Sequence, residues 1–480
     1  MKRMRWYDHL TVNLFWLGLN IRNNAVGTIF MPYLVVQFVR PEILNTALGG
    51  MRTAGLIIAM LIQPAMGILS DRSTSRFGRR RPFIFVGVLL DLVFLACIAL
   101  APSYWTLLAA VLLLQFSSNI SHGPLQALIP DLVPEEQRSV ASAIKSVFEL
   151  IPLVLLGFTI AQMVGAGQFT PAVIATGASL LLLMLLTMVL VKETPLKEKP
   201  SVPLAPAMTR VLGMLAGILA GAVAGLVAGG IVGGLAGLIA WPLAGQKVAL
   251  SVAVGLGGVV AMAVAVVGGV WAGTLATIGK DARRRPSFTW WVVNRLMFFA
   301  AITSIQGFAA YFLMYTFGVS RETAAGMTGT LMMVVGGFTL LSALASGWLA
   351  KGLGEKRLIS LSGVLAALGT LVLLGMIWAP NLELMYVAGC ILGLAAGLFS
   401  TANWSLGTRL IPTAEAGRYL GVSNLAGAGA GMIGTGIGGP IADYLNSTLP
   451  GLGYFVLFAG YGIMFLLSSV TLRWVSESED

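Results

Sequence analysis

The sequence predicts an all-α polytopic membrane protein: two six-helix bundles with two extra transmembrane helices between them, fourteen spans in all. Three observations carry this. Of the 480 residues, 57% are hydrophobic and 10% charged, with a mean hydropathy of +0.88, whereas a soluble domain carries about 25% charged residues. Apolar runs long enough to cross a bilayer, about 20 residues, recur along the whole chain with short links. The 30 Lys and Arg against 19 Asp and Glu, net +11, collect in alternate links. Together these exclude a soluble enzyme, a secreted disulfide scaffold and a disordered chain.

Taken in order, the runs place six spans at about 10–38, 44–70, 82–101, 104–131, 138–164 and 171–191. A polar, Pro-rich linker begins at Lys192 and ends at Pro206. Two Gly/Ala-rich spans follow at about 209–243 and 247–276, then a second basic linker with Lys280, Arg283, Arg284 and Arg285. Six more spans lie at about 288–317, 323–351, 356–378, 382–411, 418–445 and 452–475. The expected domains are residues 1–191, a linker-and-hairpin insertion at 192–287, and 288–480.

Link charge sets the orientation. One set of links carries Arg72, Arg76, Arg79, Arg80, Arg81, Arg138, Lys192, Lys197, Lys199, Lys351, Lys356, Arg357, Arg409 and Arg418. The alternate links at 101–103, 165–167, 379–381 and 446–448 carry none. Because Lys and Arg are retained in the cytoplasm, both termini are expected there, in a cell-membrane protein. The basic balance thus reads as topology and not as nucleic-acid binding. Met1-Lys2-Arg3-Met4-Arg5 leads into a full-length run without a small-residue cleavage site, so that run is expected to remain as a span. Cys97 and Cys390 lie far apart inside apolar runs and fit neither a disulfide framework nor a metal site. The one phosphate-loop lookalike, Gly273 to Lys280, has the wrong spacing and no Ser or Thr after the lysine. No enzyme activity and no cofactor are expected.

The two six-span blocks read as repeats. Gly67-Ile68-Leu69-Ser70-Asp71 leads into the first basic link, and Gly347-Trp348-Leu349-Ala350-Lys351 into the link with Gly354 to Arg357. Leu132-Val133-Pro134 before Arg138 matches Leu410-Ile411-Pro412 before Arg418, at offsets of 280 and 278 residues. Repeated halves are the plan of transporters that rock two bundles about a midplane site.

From Gly67 through Ser70-Asp71-Arg72-Ser73-Thr74-Ser75-Arg76-Phe77-Gly78-Arg79-Arg80-Arg81-Pro82 the chain resembles the motif that follows the second helix in the major facilitator superfamily. It looks most like the version in sucrose–proton symporters and the glycoside-pentoside-hexuronide group. Pro32-Tyr33, Gln63-Pro64 and the stretch from Gly123-Pro124-Leu125-Gln126 to Pro130-Asp131-Leu132 agree. The resemblance is close over about residues 15–160 and superfamily-level elsewhere. It implies a major facilitator fold and alternating access. A carboxylate at Asp71, where the second span reaches the cytoplasm, can hold arginines or a helix N-terminus. Asp71, Arg72, Arg76, Gly78, Arg79, Arg80, Asp131 and Arg138 are therefore gating candidates. Arg79, Arg80 and Arg81 fit topology and lipid headgroups as well. Lys351 at the repeat position of Asp71 predicts an asymmetric lock.

Ionisable groups at the bilayer centre cost about 2.5–3.5 kcal/mol each on insertion scales, so each needs a reason. At about 1.5 Å per residue, Arg22, Asp91, His122, Lys145 and Glu149 fall in one slab. The resemblance puts the first, fourth and fifth helices at the central cavity. Arg22, Lys145, His122 and Glu149 are then candidates for proton coupling or substrate, with structural ion pairing the alternative, and Asp91 is read as structural. Arg22 and Glu149 are expected to offset each other. Asn20, Asn23, Asn24, Asn119 and Gln126 are candidates for sugar hydroxyls. In the second half the candidates are Gln306, Asn403 and Trp404, with packing the alternative for the indole.

Glycines at 213, 217, 221, 225, 229, 233 and 237 keep a strict four-residue spacing, which lets helix backbones approach closely. The expected partner is the second added span, with Gly257, Gly258, Gly268, Gly269 and Gly273; pairing of protomers or lipid contact is the alternative. The whole reads as a secondary transporter, with proton-coupled symport of a sugar or glycoside in the lead. Import or export of another small solute or drug comes second, and a non-transporting sensor or assembly factor third. The expected partners are a small-molecule substrate, protons and membrane lipids.

Overall fold

The structure, a computed structural model, describes residues 4–193, 195, 205–284, 286–411 and 416–476. Lys197, Lys199, Arg285 and Pro412 lie outside them, as does the side chain of Arg418. In lipid a spanning segment has to satisfy its own backbone N–H and C=O groups, and the regular structure among the described residues is helical. The first apolar run is α1 (Trp6–Asn24), a π-helical turn (Ala25–Phe30) and α2 (Met31–Phe38). Then come α3 (Leu44–Asp71), α4 (Arg81–Ala99), α5 (Tyr104–Leu132), α6 (Arg138–Phe158), α7 (Ile160–Gly165) and α8 (Phe169–Leu190). The Gly-rich segment is α9 (Ala205–Ile278), followed by the short α10 (Asp281–Arg284). The second half holds α11 (Pro286–Phe317), α12 (Arg321–Leu353), α13 (Glu355–Gly375), α14 (Leu382–Leu410), α15 (Ala416–Thr448) and α16 (Leu452–Thr471). Eleven of the described helical segments are long and apolar enough to cross a membrane.

Polar side chains set helix ends where the apolar pattern stops. Ser103 accepts the Thr106 N–H at 3.3 Å to start α5. Asn381 accepts the Leu384 N–H at 3.0 Å to start α14. The Glu193 carboxylate, at the start of the linker, accepts the Arg80 N–H at 2.8 Å and the Arg81 N–H at 3.3 Å to cap α4. A carboxylate there also meets the positive end of the helix dipole. Gly78, at φ 106°, makes the turn before α4, and a Cβ on it would run into Glu193.

Two compact units emerge. One comprises Met1–Leu34, Ile57–Thr209 and Arg321–Gly336, so the first half of α12 belongs with the first six spans. Its core is Val12, Phe15, Trp16 and Leu19 of α1 against Ile84 and Val88 of α4, Leu125 and Leu128 of α5, and Leu180 and Met184 of α8. The start of α12 joins this unit at Gly329, packed on Gly157 and Ala161, and at Gly326, packed on Gly165.

The other unit comprises Val35–Leu56, Arg210–Ser320 and Gly337–Asp480. Its centre is α11, whose apolar window is 83% buried. Phe298 stacks on Phe399 of α14 at 3.7 Å and lies 4.9 Å from Phe465 of α16.

The Gly-rich segment folds back on itself at Gly245, whose φ of 79° and ψ of 170° no L residue adopts comfortably. Its two limbs pack backbone to backbone. Gly217 meets Gly273, Gly221 meets Gly269, Gly225 meets Ala265, Gly229 meets Ala261, Gly233 meets Gly257, and Gly237 meets Ala253. Every one of these pairs is equidistant in sequence from Gly245, so a single glycine sets both the turn and the register. The second limb then seats on the unit through Gly258 against Ile441 and Gly460 against Val259.

A β-carbon at Gly221 would overlap the Gly269 backbone, whereas Gly230 and Gly234 have nothing within 4 Å. Gly221→Val is expected to destabilise the protein by about 1–3 kcal/mol, the cost of overpacking, seen as a lower thermal midpoint in detergent. Gly230→Ala and Gly234→Ala should not lower the midpoint, since helix-interior Ala is favoured over Gly.

Candidate functional site

The polar groups of the first unit fall into three clusters. The deepest joins α1, α4 and α5. Arg22, 2% exposed, pairs with Asp91, 0% exposed, at 2.7 Å. Asp91 also accepts from the Ser117 hydroxyl, and Arg22 donates to Ser118. Both charges lie inside an apolar bundle, where an uncompensated ion is far costlier than a paired one. Arg22 therefore pairs with Asp91 and not with Glu149, because α4 presents its carboxylate directly against the α1 face. It leaves no surface for a solute.

The second cluster is half-exposed and lies on α1, α5 and α6. Lys145 pairs with Glu149 at 2.8 Å, one turn away on α6, with side chains 28% and 33% exposed. The Lys145 ammonium sits 4.2 Å above the Trp16 ring, a cation–π contact. The His122 ring meets Trp16 edge-on at 5.3 Å. Nearby amides are partly engaged with their own helices: Asn20 bonds the Trp16 carbonyl, Asn24 that of Asn20, and Asn119 that of Gln115. Asn119 is buried, Asn23 and Asn24 are half-buried, and Gln126 is exposed. The accessible chemistry is thus a carboxylate and an ammonium, with a half-buried imidazole beside them and the buried Trp16 indole beneath.

The third cluster holds the gating candidates. Arg80, 3% exposed, bonds both Asp71 at the end of α3 and Asp131 at the end of α5, the latter at 2.9 Å, and also the Gly67 carbonyl at 3.2 Å. Arg79 pairs with Asp131 as well. Arg138 caps α5 through the carbonyls of Val133 at 3.2 Å and Pro130 at 3.0 Å. Arg76 lies over the Phe77 ring at 4.8 Å. Among the described residues Arg72 and Arg76 are in no ion pair. In this conformation the cluster ties α3, α4 and α5 within one unit.

The second unit carries a matching tie with its signs exchanged. Glu355, 8% exposed at the start of α13, pairs with Arg409 near the end of α14 at 2.6 Å and accepts from Ser405. The first unit has the arginine at the helix start and the carboxylate at the helix end. Lys351, the expected counterpart of Asp71, is exposed.

Deeper in the second unit, Arg295 on α11 is held by Asn403 Oδ1 at 3.2 Å. Asn403 is fully buried; its amide donates to Asn294 at 2.7 Å and its backbone carbonyl accepts from the Trp291 indole at 2.8 Å. Asn403 thus positions Arg295 and has no face left for a solute. The guanidinium lies 4.9 Å from the Phe299 ring and 5.3 Å from that of Trp404, which is 41% exposed. No carboxylate pairs with Arg295 among the described residues. Gln306 is half-buried three turns further along α11, about 16 Å away, and does not join this group.

Asp443 was not singled out by the sequence. Its carboxylate, 6% exposed, accepts the Asn45 and Thr46 N–H groups at 3.2 and 2.7 Å and the Asn45 amide at 2.7 Å. A residue of α15 thereby caps the first turn of α3. The only sequence signal is a lone acid in the Gly-rich run Gly438 to Asp443, with no partner nearby in the chain. Asp91 was read as structural, but its partner was not legible.

A sequence model described as the Major Facilitator Superfamily matches residues 23–279, 213–435 and 294–480. A sucrose transport protein of Arabidopsis thaliana is 34% identical over 112 residues, 19% of this chain and 19% of that one. The proton-associated sugar transporter A of Homo sapiens is 32% identical over 188 residues, 32% of this chain and 24% of that one. Solute carrier family 45 member 3 of Homo sapiens is 33% identical over 143 residues, 27% and 25% of the two chains. The chain thus covers a quarter or less of the length of these curated relatives. Among solved structures, a nucleoside transporter aligns with a TM-score of 0.65 at 12% identity, covering 98% of this chain and 100% of that one. A peptide transporter aligns at 0.67 and 15%, covering 97% and 93%. At these identities the two structures speak to the fold alone.

Two outcomes follow from the pairings. Arg22→Met alone strands Asp91 in the bundle and is expected to cost about 3–5 kcal/mol, while Arg22→Met with Asp91→Leu recovers most of it. Thermal midpoints of both singles and the double give the coupling, and additive losses would mean the two do not act as a pair. Asp443→Ala leaves α3 without its cap, at about 1–3 kcal/mol per stranded donor. Hydrogen exchange at Asn45 and Thr46 should then accelerate by about tenfold or more.

Proposed function

Because the chain belongs to the Major Facilitator Superfamily, a family of multi-pass membrane transporters, we propose that it is a secondary active transporter that couples a proton to uptake of a sugar or glycoside by alternating access. The observation that carries this is the half-exposed Lys145–Glu149 pair beside Trp16 and His122. A carboxylate and a hydrogen-bond donor meet at one partly accessible place, backed by a buried indole. The match to sucrose and proton-associated sugar transporters over part of the chain supports the same reading.

Glu149 carries the proton. While ionised it holds Lys145; once protonated it releases the ammonium, which becomes a donor for a solute hydroxyl. The buried Trp16 ring backs the pair through its contact with the Lys145 ammonium. Arg22 and Asp91 hold the scaffold on which the pair sits. Asp71, Arg79, Arg80 and Asp131 brace the end of the first unit that has to stay intact while access alternates. Fourteen spans fit the chain: the eleven apolar segments, the run of α1 and α2, α15, and the extra limb made where α9 folds back at Gly245. With basic links inside, both termini are cytoplasmic and the protein resides in the cell membrane.

A second reading rests on Arg295. A guanidinium among aromatics without a carboxylate suits a solute that brings its own negative charge, such as a sugar acid.

The test is uptake and counterflow of labelled sucrose, maltose, glucose and glucuronate in the same proteoliposomes, with and without an inward proton gradient. Glu149→Gln is expected to abolish accumulation against a gradient while counterflow persists. One charge across 100 mV contributes about 2.3 kcal/mol, nearly fiftyfold in accumulation at about 1.4 kcal/mol per tenfold. If Glu149→Gln still concentrates substrate at the wild-type ratio, the proton runs elsewhere. Accumulation of glucuronate alone, lost in Arg295→Gln, would favour the second reading. No accumulation of any of the four would move the assignment to another solute or to a non-transporting role.

A further inference from the structure

The hairpin limb after Gly245 and α16 leave a groove of about 620 Å³ between them. Most of its wall is apolar: Gly255, Leu256 and Val259 from the hairpin, and Phe455, Ala459 and Ile463 from α16. One end is polar, with Lys247 and Ser251 of the hairpin facing Thr448 at the end of α15. The Ser251 and Thr448 hydroxyls are 3.3 Å apart. Lys247 is exposed, makes no ion pair among the described residues, and no carboxylate lines the groove.

Length and level identify the occupant. From Lys247 to Val259 the helix rises about 18 Å, close to the roughly 15 Å of half a hydrocarbon core. The polar end lies at the hairpin turn, where Trp241 is 54% exposed. Trp378, 62% exposed, packs its ring 5.5 Å from Phe455 of the groove. Exposed tryptophans gather at the headgroup level of a bilayer. Lys247 thus stands where headgroups are, and the apolar trench runs from it toward the midplane for the depth of one leaflet.

We propose that this groove is a binding site for one anionic phospholipid, its phosphate on Lys247, Ser251 and Thr448 and an acyl chain along α16. A zwitterionic lipid fills the same trench, but its own cation competes with Lys247 for the phosphate. Charge is therefore what discriminates, and the hairpin, which brings Lys247, is what makes the site.

Native mass spectrometry of the full chain tests this, using phosphatidylglycerol and phosphatidylcholine with identical acyl chains. The wild type is expected to retain one phosphatidylglycerol with at least about fivefold preference, since one added ionic contact near a membrane contributes about 1 kcal/mol. Lys247→Gln, a surface change that leaves the fold intact, should erase the preference without abolishing lipid retention. Ala459→Trp, with an unchanged thermal midpoint, should abolish retention of both. Equal retention of the two lipids by the wild type, or an undiminished preference in Lys247→Gln, overturns the proposal. So does loss of the preference on adding inorganic phosphate, which would make the site one for a free anion, or a lipid-free dimer, which would make the groove an interface between copies.

Discussion

Charge inside an apolar bundle has to be neutralised where it stands, and much of this structure follows from how that is done. Arg22 and Asp91 are both nearly inaccessible and 2.7 Å apart. Each alone would be strongly disfavoured; together, with Ser117 and Ser118 filling further hydrogen-bonding positions, they tie α1, α4 and α5 at mid-depth. With that pair closed, the other ionisable groups of the slab divide differently from a simple count. Lys145 and Glu149 keep about a third of their side chains exposed. They can therefore exchange partners, which a fully buried pair cannot do without leaving a charge stranded. The two pairs differ by access and not by residue type.

The ends of the helices obey the same electrostatics. Glu193 and Asp443 each place a carboxylate at a helix start, where backbone N–H groups lack partners and the dipole is positive. Glu193 reaches α4 from the linker, and Asp443 reaches α3 from α15. The ties between helix start and helix end in the two repeats show that an interaction can persist while its chemistry inverts. Arg80 with Asp131 in one unit corresponds to Glu355 with Arg409 in the other. What the two units share is an arginine–carboxylate tie between two successive helices, whichever end supplies the cation.

The Gly-rich hairpin depends on a different quantity, the distance of closest approach. Small residues at every fourth position on one limb meet small residues on the other with pair centres at Gly245. With few polar groups available, the limbs hold by dispersion and backbone proximity. Packed so closely on one side, the second limb has its other faces left for α15 and α16. That is how a hairpin outside the polar clusters acquires a surface of its own.

Composition and periodicity alone determined that the chain is helical and membrane-spanning, because no other use of so much apolar sequence leaves the backbone satisfied. The motif from Gly67 to Pro82 was enough to suggest the superfamily. The glycine spacing named the correct partner limb, since a four-residue stripe has few places to go. Asp91 read as structural, and Lys145 with Glu149 read as one helical face, because both readings need only local spacing. The partner of Arg22 was decided by tertiary structure, since depth along a helix fixes height and not azimuth: Glu149 and Asp91 both qualified by depth, and only packing turned Asp91 toward α1. Asn403 likewise looked like a ligand for a solute until its neighbours on α11 used every polar atom. The sign-exchanged tie at Glu355 and Arg409, and the cap at Asp443, join residues tens to hundreds of positions apart. Such contacts leave no trace in local spacing, because their energy comes from proximity that only the folded chain creates.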